Sequence, residues 1–328
     1  MEGLKILITG GTGFIGANLA RLFYSNGYEV SVTLREESNV WRIRDILKNL
    51  TLIKTDITDM QKVEELFRSV KPDIVINTAA FGGYPFEKDT DLIFKVNLNA
   101  TINLVEAYLR SGSEIFINAG SSSEYGLKAK PMNEGDLLEP IGAYAVSKSA
   151  STLYCRSRSI ETKRKIVTMR LFSPYGYFEE SHRLIPYVIY SSLKHKSAKL
   201  NNPSSVRDFI FIEDVYLAYS QLIKKIDSVD SGEIFNLGFG KEYRVEEIVN
   251  MVEKISGEKL NVEWQYGNDR VGDRTVHWVA DITKITGTLQ WKPMYSLEDG
   301  LSLTYYWFKK NISNYEVMEN SKARKFGE

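Results

Sequence analysis

The segment TGGTGFIG, residues 9–16, joins a short apolar run at residues 5–8 to a stretch with helical periodicity near residues 17–26. The spacing of its glycines would allow a tight turn, a close approach of the backbone to a pyrophosphate, and close packing of the helix on the strand. The start of such a helix offers free N–H groups and a positive dipole end. This strand–turn–helix context favours a dinucleotide-binding turn over a merely flexible one. The expected contacts are Gly10, Thr12, Gly13, Phe14, Ile15 and Gly16.

The segments around this turn indicate the fold class. Further apolar strands are predicted at residues 29–34, 50–54, 73–77 and 114–118, with helices near 61–70 and 92–110. Continuous apolar strands separated by helices are typical of a parallel sheet covered on both faces. We therefore expect an α/β, Rossmann-type, doubly wound parallel sheet over residues 1–171.

The pattern loosens in the second half of the chain. A strand at residues 208–212 and helices at 215–224 and 245–255 predict a smaller mixed α/β lobe over residues 172–313. Residues 207–240 are expected to return in part to the main sheet. The polar residues 314–328 are expected to form a loosely held tail.

Composition narrows the function classes. Among 328 residues, 42 Lys and Arg balance 42 Asp and Glu, so there is no positive field to favour nucleic acid or acidic membranes. The chain begins without a secretory signal pattern, and no stretch approaches the ~20 apolar residues of a membrane span. A single cysteine, Cys155, permits no intrachain disulfide, and we expect a cytoplasmic protein. No metal site is expected, because the three histidines have no ligand spacing: His182, His195 and His277.

The end of the second predicted strand bears on which dinucleotide binds. A carboxylate there would hold the ribose 2′-hydroxyl of NAD, but this chain has Leu34 followed by Arg35. An arginine suits a 2′-phosphate, so we expect NADP(H) to be preferred over NAD. The alternative is that Arg35 is only a solvated loop charge. Asp56 and Ile57, just after the third strand, are expected beside the adenine. Other polar residues close to Arg35 are Ser38, Asn39 and Arg42.

Tyr144 and Lys148 are the candidate acid–base pair. They are four residues apart, so on a helix they share one face. A free tyrosine has a pKa of about 10, and a nearby ammonium group lowers that pKa towards the working range. The alternative is an ordinary exposed helix face. The serine cluster at residues 121–123 lies at the end of a predicted strand, where ligands bind in this fold class, and it favours the catalytic interpretation.

These motifs, in this order, resemble the extended short-chain dehydrogenase/reductases. More narrowly, the chain looks like the NAD-dependent epimerase/dehydratase group, which modifies nucleotide sugars. The resemblance covers residues 4 to about 293 and is carried by residues 9–16, 77–80, 121–126 and 144–148. It implies that Tyr144 is the acid–base, that Lys148 binds the nicotinamide ribose, and that Ser122, or else Ser121, completes the triad. It also implies cofactor contacts at Ala79, Ala80, Asn97 and Phe172.

The resemblance also implies a nucleotide-sugar site in the second half. Arg207 and Arg270 match family arginines that contact the diphosphate, and Asp273 matches an acid that holds a ribose. A planar guanidinium meets phosphate oxygens bidentately, although either arginine alone could be a surface charge. The remaining residues expected to bind substrate are Phe81, Gly82, Ser123, Glu124, Ser173 and Arg183.

Two reactions fit these residues. The first is NADPH-dependent reduction of the C4 keto group of a nucleotide-linked 4-keto-6-deoxyhexose, and the alternative is NAD-dependent 4-epimerisation. Arg35 and Ser173, which stands where many epimerases have asparagine, favour the reductase. Dehydration is disfavoured, because Ser123 and Glu124 replace the Asp-Glu pair of dehydratases. A non-catalytic NADP sensor would be expected to lose Tyr144. The resemblance further implies a homodimer formed through residues 92–110 and 144–159.

Overall fold

Seven parallel strands form the main sheet of the computed structural model, which describes residues 3–84, 86–265 and 277–325. The strand order is β11-β6-β5-β4-β1-β2-β3, with neighbouring strands parallel throughout. The strand bounds are β1 Lys5–Thr9, β2 Glu29–Leu34, β3 Thr51–Lys54, β4 Ile74–Asn77, β5 Ile115–Ser121, β6 Lys165–Leu171 and β11 Ile234–Leu237. The predicted doubly wound parallel sheet is thereby confirmed.

Helices cover both faces of this sheet, which explains why its strands are continuously apolar. Ile6 and Ile8 of β1 point into one buried cluster, whereas Leu7 between them belongs to another. Alternation of side chains across a strand produces this division. The helices of the sheet layers are α1 Phe14–Ser25, α2 Met60–Val70, α3 Thr90–Phe94, α4 Ala100–Arg110, α5 Ala143–Thr162 and α7 Ile212–Lys224.

The described residues of the second half contain three two-stranded sheets and, besides α7, four α-helices. β10 pairs with β7, β12 with β9, and β13 with β8. The strand bounds are β7 Pro174–Tyr175, β8 Ala198–Asn201, β9 Val206–Asp208, β10 Ile210–Phe211, β12 Glu242–Arg244 and β13 Val262–Gln265. The helices are α6 Leu184–Leu193, α8 Val245–Ser256, α9 Thr283–Leu289 and α10 Leu297–Lys325.

Two segments of this half differ from the sequence expectation. The single strand expected at residues 208–212 is divided at Phe209, because the chain changes partner from antiparallel β12 to parallel β7. The tail expected from residue 314 is instead helical, since α10 continues to Lys325. Tyr315 is fully buried and stacks on Phe308 one heptad earlier, with 4.6 Å between the ring centroids. The buried ring of Tyr315 therefore anchors the part of α10 after residue 314, although the polar composition of this part suggested a loosely held tail.

Within the described ranges, none of the helices combines the length and the apolar character that crossing a bilayer requires.

Candidate active site

The glycine-rich turn after β1 has the geometry of a dinucleotide cradle. Gly10 has φ of 70°, and a Cβ there would lie 2.8 Å from the backbone of Ala79. A Cβ on Gly16 would lie 2.3 Å from the Gly10 carbonyl oxygen, so α1 packs directly against the turn. Gly13 caps α1 without a side chain, which leaves the first N–H groups of the helix directed at the cleft. The turn thus suits the pyrophosphate of a dinucleotide.

A cleft of about 480 Å³ opens at the carboxyl ends of β1, β2, β3 and β4. Most of the sequence-predicted cofactor residues line it: Gly10, Thr12, Gly13, Arg35, Ser38, Asp56, Ile57, Ala79 and Ala80. Phe14, Ile15 and Gly16 form the first turn of α1, where their side chains or close helix–turn contact serve packing, and only their backbone N–H groups are available to a pyrophosphate. The lining residues fit a dinucleotide. They include the glycine-rich turn, expected to meet the pyrophosphate, and Asp56 and Ile57, expected beside the adenine.

Arg42 is committed to structure and does not face the cleft as a free charge. It lies in the 3-10 helix Trp41–Asn49 and is 7% exposed. Its guanidinium donates to the carbonyl oxygens of Phe178 (2.7 Å) and Thr12 (3.2 Å) and to the Glu180 carboxylate (2.6 Å). Arg42 therefore links the glycine-rich turn to the segment before α6. Arg35, the residue after β2 that suggested a 2′-phosphate, lines the cleft and is exposed.

Two residues expected to contact the cofactor lie away from the cleft. Asn97 is fully buried, accepts a hydrogen bond from the Phe81 N–H (2.8 Å) and donates to the Phe81 carbonyl (2.8 Å) and to Ser147 (2.9 Å). It thus fastens the end of the β4 loop to α5. Phe172 is buried in a separate apolar cluster, and its N–H donates to the Leu237 carbonyl (2.9 Å). Both expectations are corrected: these residues hold the fold together.

Tyr144 and Lys148 share one face of α5, directed at the end of β5. The Ser121 side chain lowers the pKa of the Tyr144 hydroxyl by hydrogen bonding, so the two groups face each other. Lys148 is 3% exposed, and its ammonium donates to the Ala119 carbonyl of β5. Ser121 is the last residue of β5 and is only half-buried. The three side chains therefore meet where the strand ends, which is the position expected of a catalytic triad.

Ser122 does not share this position. It is buried at the start of the 3-10 turn Ser122–Tyr125, and its hydroxyl accepts a hydrogen bond from the Trp278 indole (3.1 Å). The expected preference for Ser122 over Ser121 is therefore corrected by the geometry. The reason is local: β5 ends at Ser121, and the turn directs the next side chain into the protein. Ser123 lies beside Ser121, with 2.8 Å between the two hydroxyl oxygens.

The electrostatic surroundings of the pair differ from the expectation. Burial raises the pKa of Tyr144, whereas the hydrogen bond from Ser121 and the charge of Arg183 lower it. Burial lowers the pKa of Lys148. Burial is the larger effect, so the pKa of Tyr144 is raised overall, and Ser121 and Arg183 oppose that rise.

Glu124 stabilises the end of β5 from inside the protein and is not exposed to a ligand. It is fully buried and accepts hydrogen bonds from the Ser121 N–H (2.8 Å), the Thr152 hydroxyl (3.0 Å) and the Arg170 guanidinium (2.8 Å). Arg170 also donates to the Tyr125 hydroxyl (2.8 Å). The expected role of Glu124 in binding substrate is thus corrected: its carboxylate fixes the backbone of Ser121.

A second pocket, of about 400 Å³, lies between the end of β6 and the C-terminal lobe. Three of the expected substrate residues line it: Ser173, Arg183 and Arg207. Phe81 lines the dinucleotide cleft instead, and the Gly82 N–H donates to Glu87 (2.9 Å). Arg270 and Asp273 lie outside the described residues.

Sequence reasoning missed several residues of this pocket: Glu179, Tyr187, Lys199 and Asn201. They come from the loop before α6, from α6 itself and from β8, none of which carries a motif. The acidic pair of Glu179 and Glu180 was the one available signal. It separates in the structure, because Glu180 pairs with Arg42 (2.6 Å) and Glu179 turns into the pocket.

Comparisons with known proteins agree with this arrangement. The model of the "NAD dependent epimerase/dehydratase family" matches residues 6–238. The chain is 28% identical to the UDP-glucuronate 4-epimerase of Thermodesulfobacterium geofontis, over 93% of this chain and 96% of that one. Among solved structures, Thermotoga maritima UDP-glucose 4-epimerase with UDP-glucose is 26% identical, with a TM-score of 0.85 and coverage of 94% and 100%. Thermus thermophilus UDP-glucose 4-epimerase complexed with NAD is 25% identical, with a TM-score of 0.82 and coverage of 93% and 99%.

The matched region includes the glycine-rich turn, Ser121, Tyr144 and Lys148, and it ends just after β11. The expected family resemblance is therefore confirmed. The chain belongs to the NAD-dependent epimerase/dehydratase family and is an enzyme of the extended short-chain dehydrogenase/reductase type.

Proposed function

We propose that the chain is an NAD-dependent 4-epimerase of UDP-hexoses. The observation that carries the proposal is that Tyr144 and Lys148 of α5 face the end of β5 at Ser121, and that the charge of Arg183, a residue of the substrate pocket, acts on the Tyr144 hydroxyl. A nucleotide-sugar whose diphosphate met Arg183 and Arg207 could thus reach Tyr144 with its sugar. The names of similar enzymes, which act on UDP-glucose and UDP-glucuronate, support the substrate class.

Each side chain has a distinct task in this reaction. Bound NAD⁺ supplies a reversible hydride acceptor beside the sugar. Tyr144, as phenolate, accepts the proton of the C4 hydroxyl and later returns it, while Ser121 donates a hydrogen bond at the same oxygen. Lys148, whose ammonium donates to the Ala119 carbonyl near the end of β5, would hold the nicotinamide ribose. Because the arginines bind the diphosphate and not the ring, the sugar can turn and present its other face.

The alternatives have weaker support. Dehydration requires a free carboxyl beside the triad, whereas Glu124 is paired with Arg170 at 2.8 Å. The reductase was favoured for Arg35 and Ser173, but neither residue selects a reaction by its contacts. The similar Thermus enzyme is complexed with NAD, which supports NAD over the NADP(H) expected from Arg35.

Conversion of UDP-glucose to UDP-galactose tests the proposal directly. Purified enzyme with UDP-glucose and a catalytic amount of NAD⁺ should give the 4-epimer by NMR, with no net change in absorbance at the nicotinamide band. A Tyr144→Phe variant should lose activity by about 10³-fold while it keeps its fold by circular dichroism. Stoichiometric oxidation of NADPH with a 4-keto-6-deoxy nucleotide sugar, and no epimer, would favour the reductase instead.

We further propose a homodimer that forms through α5. Its outer face exposes Val146, Leu153 and Ile160 at intervals of seven residues, by 39%, 52% and 53%. Such a stripe is typical of a helix that packs on a partner. Light scattering should give twice the subunit mass, and Leu153→Glu should shift it towards one subunit.

The single cysteine, Cys155, is free and buried, which supports the expected cytoplasmic location.

A further inference from the structure

Glu179 is a buried acid in the wall of the substrate pocket, and the mechanism above does not use it. The residue is 4% exposed and lines the pocket beside Ser173 and Arg183. Its backbone is anchored, because the Tyr315 hydroxyl donates to its carbonyl oxygen (2.9 Å). This bond anchors the backbone of Glu179 in the loop between β7 and α6.

The two carboxyl oxygens of Glu179 differ in their partners. Oε1 lies 3.5 Å from the Nε of Arg183. Oε2 is buried, and it has no hydrogen-bond partner within the described parts of the chain. Native proteins pair almost all of their buried polar atoms, so an unpaired oxygen at a pocket wall indicates that a ligand completes the bond.

The chemistry of this carboxyl indicates which ligand group it would meet. Burial raises the pKa of Glu179 to about 8, so at neutral pH the group is mostly protonated and can both donate and accept. A sugar hydroxyl matches that capacity. The phosphates are better served by guanidinium groups, and two arginines, Arg183 and Arg207, are present in the same pocket.

The position of Glu179 also favours the sugar over the nucleoside. Arg183, its neighbour at 3.5 Å, is the charged residue that lowers the pKa of Tyr144. Glu179 thus lies towards the catalytic end of the pocket. The strand β8, which contributes Lys199 and Asn201, forms another part of the wall.

We propose that Glu179 is a specificity-determining residue whose Oε2 hydrogen-bonds one hydroxyl group of the sugar, an inference that rests on the proposed function. A site that is built to bond a hydroxyl rejects an analogue that lacks it, because the buried group is then left unpaired. The enzyme should therefore discriminate against one particular deoxy sugar.

Binding measurements with volume-matched variants test this assignment. In a Tyr144→Phe background, which prevents turnover, calorimetry with NAD⁺ present would give the Kd of UDP, UDP-glucose and its 2-, 3- and 6-deoxy analogues. Glu179→Met removes the hydrogen-bonding atoms with little change in volume, and Glu179→Gln keeps a donor and an acceptor. Glu134→Met is the matched control, because Glu134 also has a buried unpaired Oε2 but lies outside both pockets.

We expect Glu179→Met to raise the Kd of UDP-glucose by about tenfold and to leave the Kd of UDP unchanged. The Tyr144→Phe parent should bind one deoxy analogue about tenfold more weakly than UDP-glucose. With Glu179→Met added, that analogue and UDP-glucose should bind equally. Glu179→Gln should stay within about threefold of the parent. The control should leave every Kd unchanged.

Three results would overturn the inference. An unchanged Kd for UDP-glucose in Glu179→Met would mean that the carboxyl does not touch the sugar. An equal loss for UDP and all sugars would mean a structural role. A parent that binds none of the UDP-sugars would instead refute the proposed substrate class, and the inference with it.

Discussion

The buried ion pair between Glu124 and Arg170 joins the stability of the fold to the position of Ser121. Both side chains are almost fully buried, at 0% and 2% exposure, and are 2.8 Å apart. Glu124→Gln would remove the charge and place an amide N–H₂ among donors, which leaves the Arg170 guanidinium without its counter-charge. Breaking a buried pair in this way costs about 3–5 kcal/mol of unfolding free energy. We expect a loss of about 3 kcal/mol, because Arg170 keeps its bond to Tyr125 (2.8 Å) and its place over that ring.

Urea denaturation followed by circular dichroism would measure this loss. The matched control is Glu64→Gln, which breaks the exposed pair with Arg110 (2.7 Å), and it should change the unfolding free energy by less than about 1 kcal/mol. Glu124→Gln should also lower kcat, since its carboxylate holds the Ser121 N–H (2.8 Å). A loss of less than about 1 kcal/mol in Glu124→Gln would refute the reasoning that the pair is essential to this fold.

The remaining predictions concern single residues of the site. Ser121→Ala should lower kcat by about 10²-fold. Ser122→Ala should keep kcat but lower the unfolding free energy by about 1 kcal/mol, because the buried Trp278 indole loses its acceptor. Equal kcat values for the two variants would contradict this assignment. Gly16→Ala should lower the unfolding free energy by about 2 kcal/mol, because its Cβ would lie 2.3 Å from the Gly10 carbonyl oxygen; a wild-type urea midpoint would argue against that packing. The raised pKa of Glu179, about 8 against an ordinary 4.5, means that the folded state holds this proton more tightly. Wild-type stability should therefore fall by about 4 kcal/mol more than that of Glu179→Gln between pH 4.5 and 8; parallel curves would refute the shift.

The fold could be predicted because its determinants are local. The glycine spacing requires a particular turn, and the continuous apolar runs require a sheet that is buried on both faces. Gly10 and Gly16 are therefore where the sequence indicated, with φ of 70° at the first and helix–turn contact at the second. Tyr144 and Lys148 could be paired for the same reason, since a separation of four residues on a helix fixes their shared face.

The identity of the facing serine could not be settled from sequence. Successive side chains of a strand alternate in direction, so the choice between Ser121 and Ser122 depends on where β5 ends. The strand ends at Ser121, and the following 3-10 turn directs Ser122 towards Trp278, a residue 156 positions away. Because Trp278 is so far from Ser122 along the chain, the sequence around the serines does not indicate which of them faces the site.

Buried charge pairing was the other feature beyond the reach of the sequence. Glu124 looked like a substrate-binding group because it follows the serine cluster, and Arg42 looked like one of the polar residues around Arg35. Their partners, Arg170 and Glu180, lie 46 and 138 residues away along the chain. Only the tertiary arrangement shows that these charges satisfy each other. Arg270 and Asp273, outside the described residues, stay predictions.

The most direct test of the central claim follows the hydrogen on C4 during turnover. UDP-glucose that carries deuterium at C4 would be incubated with the enzyme and a catalytic amount of NAD⁺, and the product examined by NMR and mass spectrometry. The account predicts UDP-galactose that retains the deuterium at C4, because the same hydride is removed and returned within one active site. Loss of the deuterium to solvent, its appearance at another carbon, or no conversion of UDP-glucose would contradict a 4-epimerase.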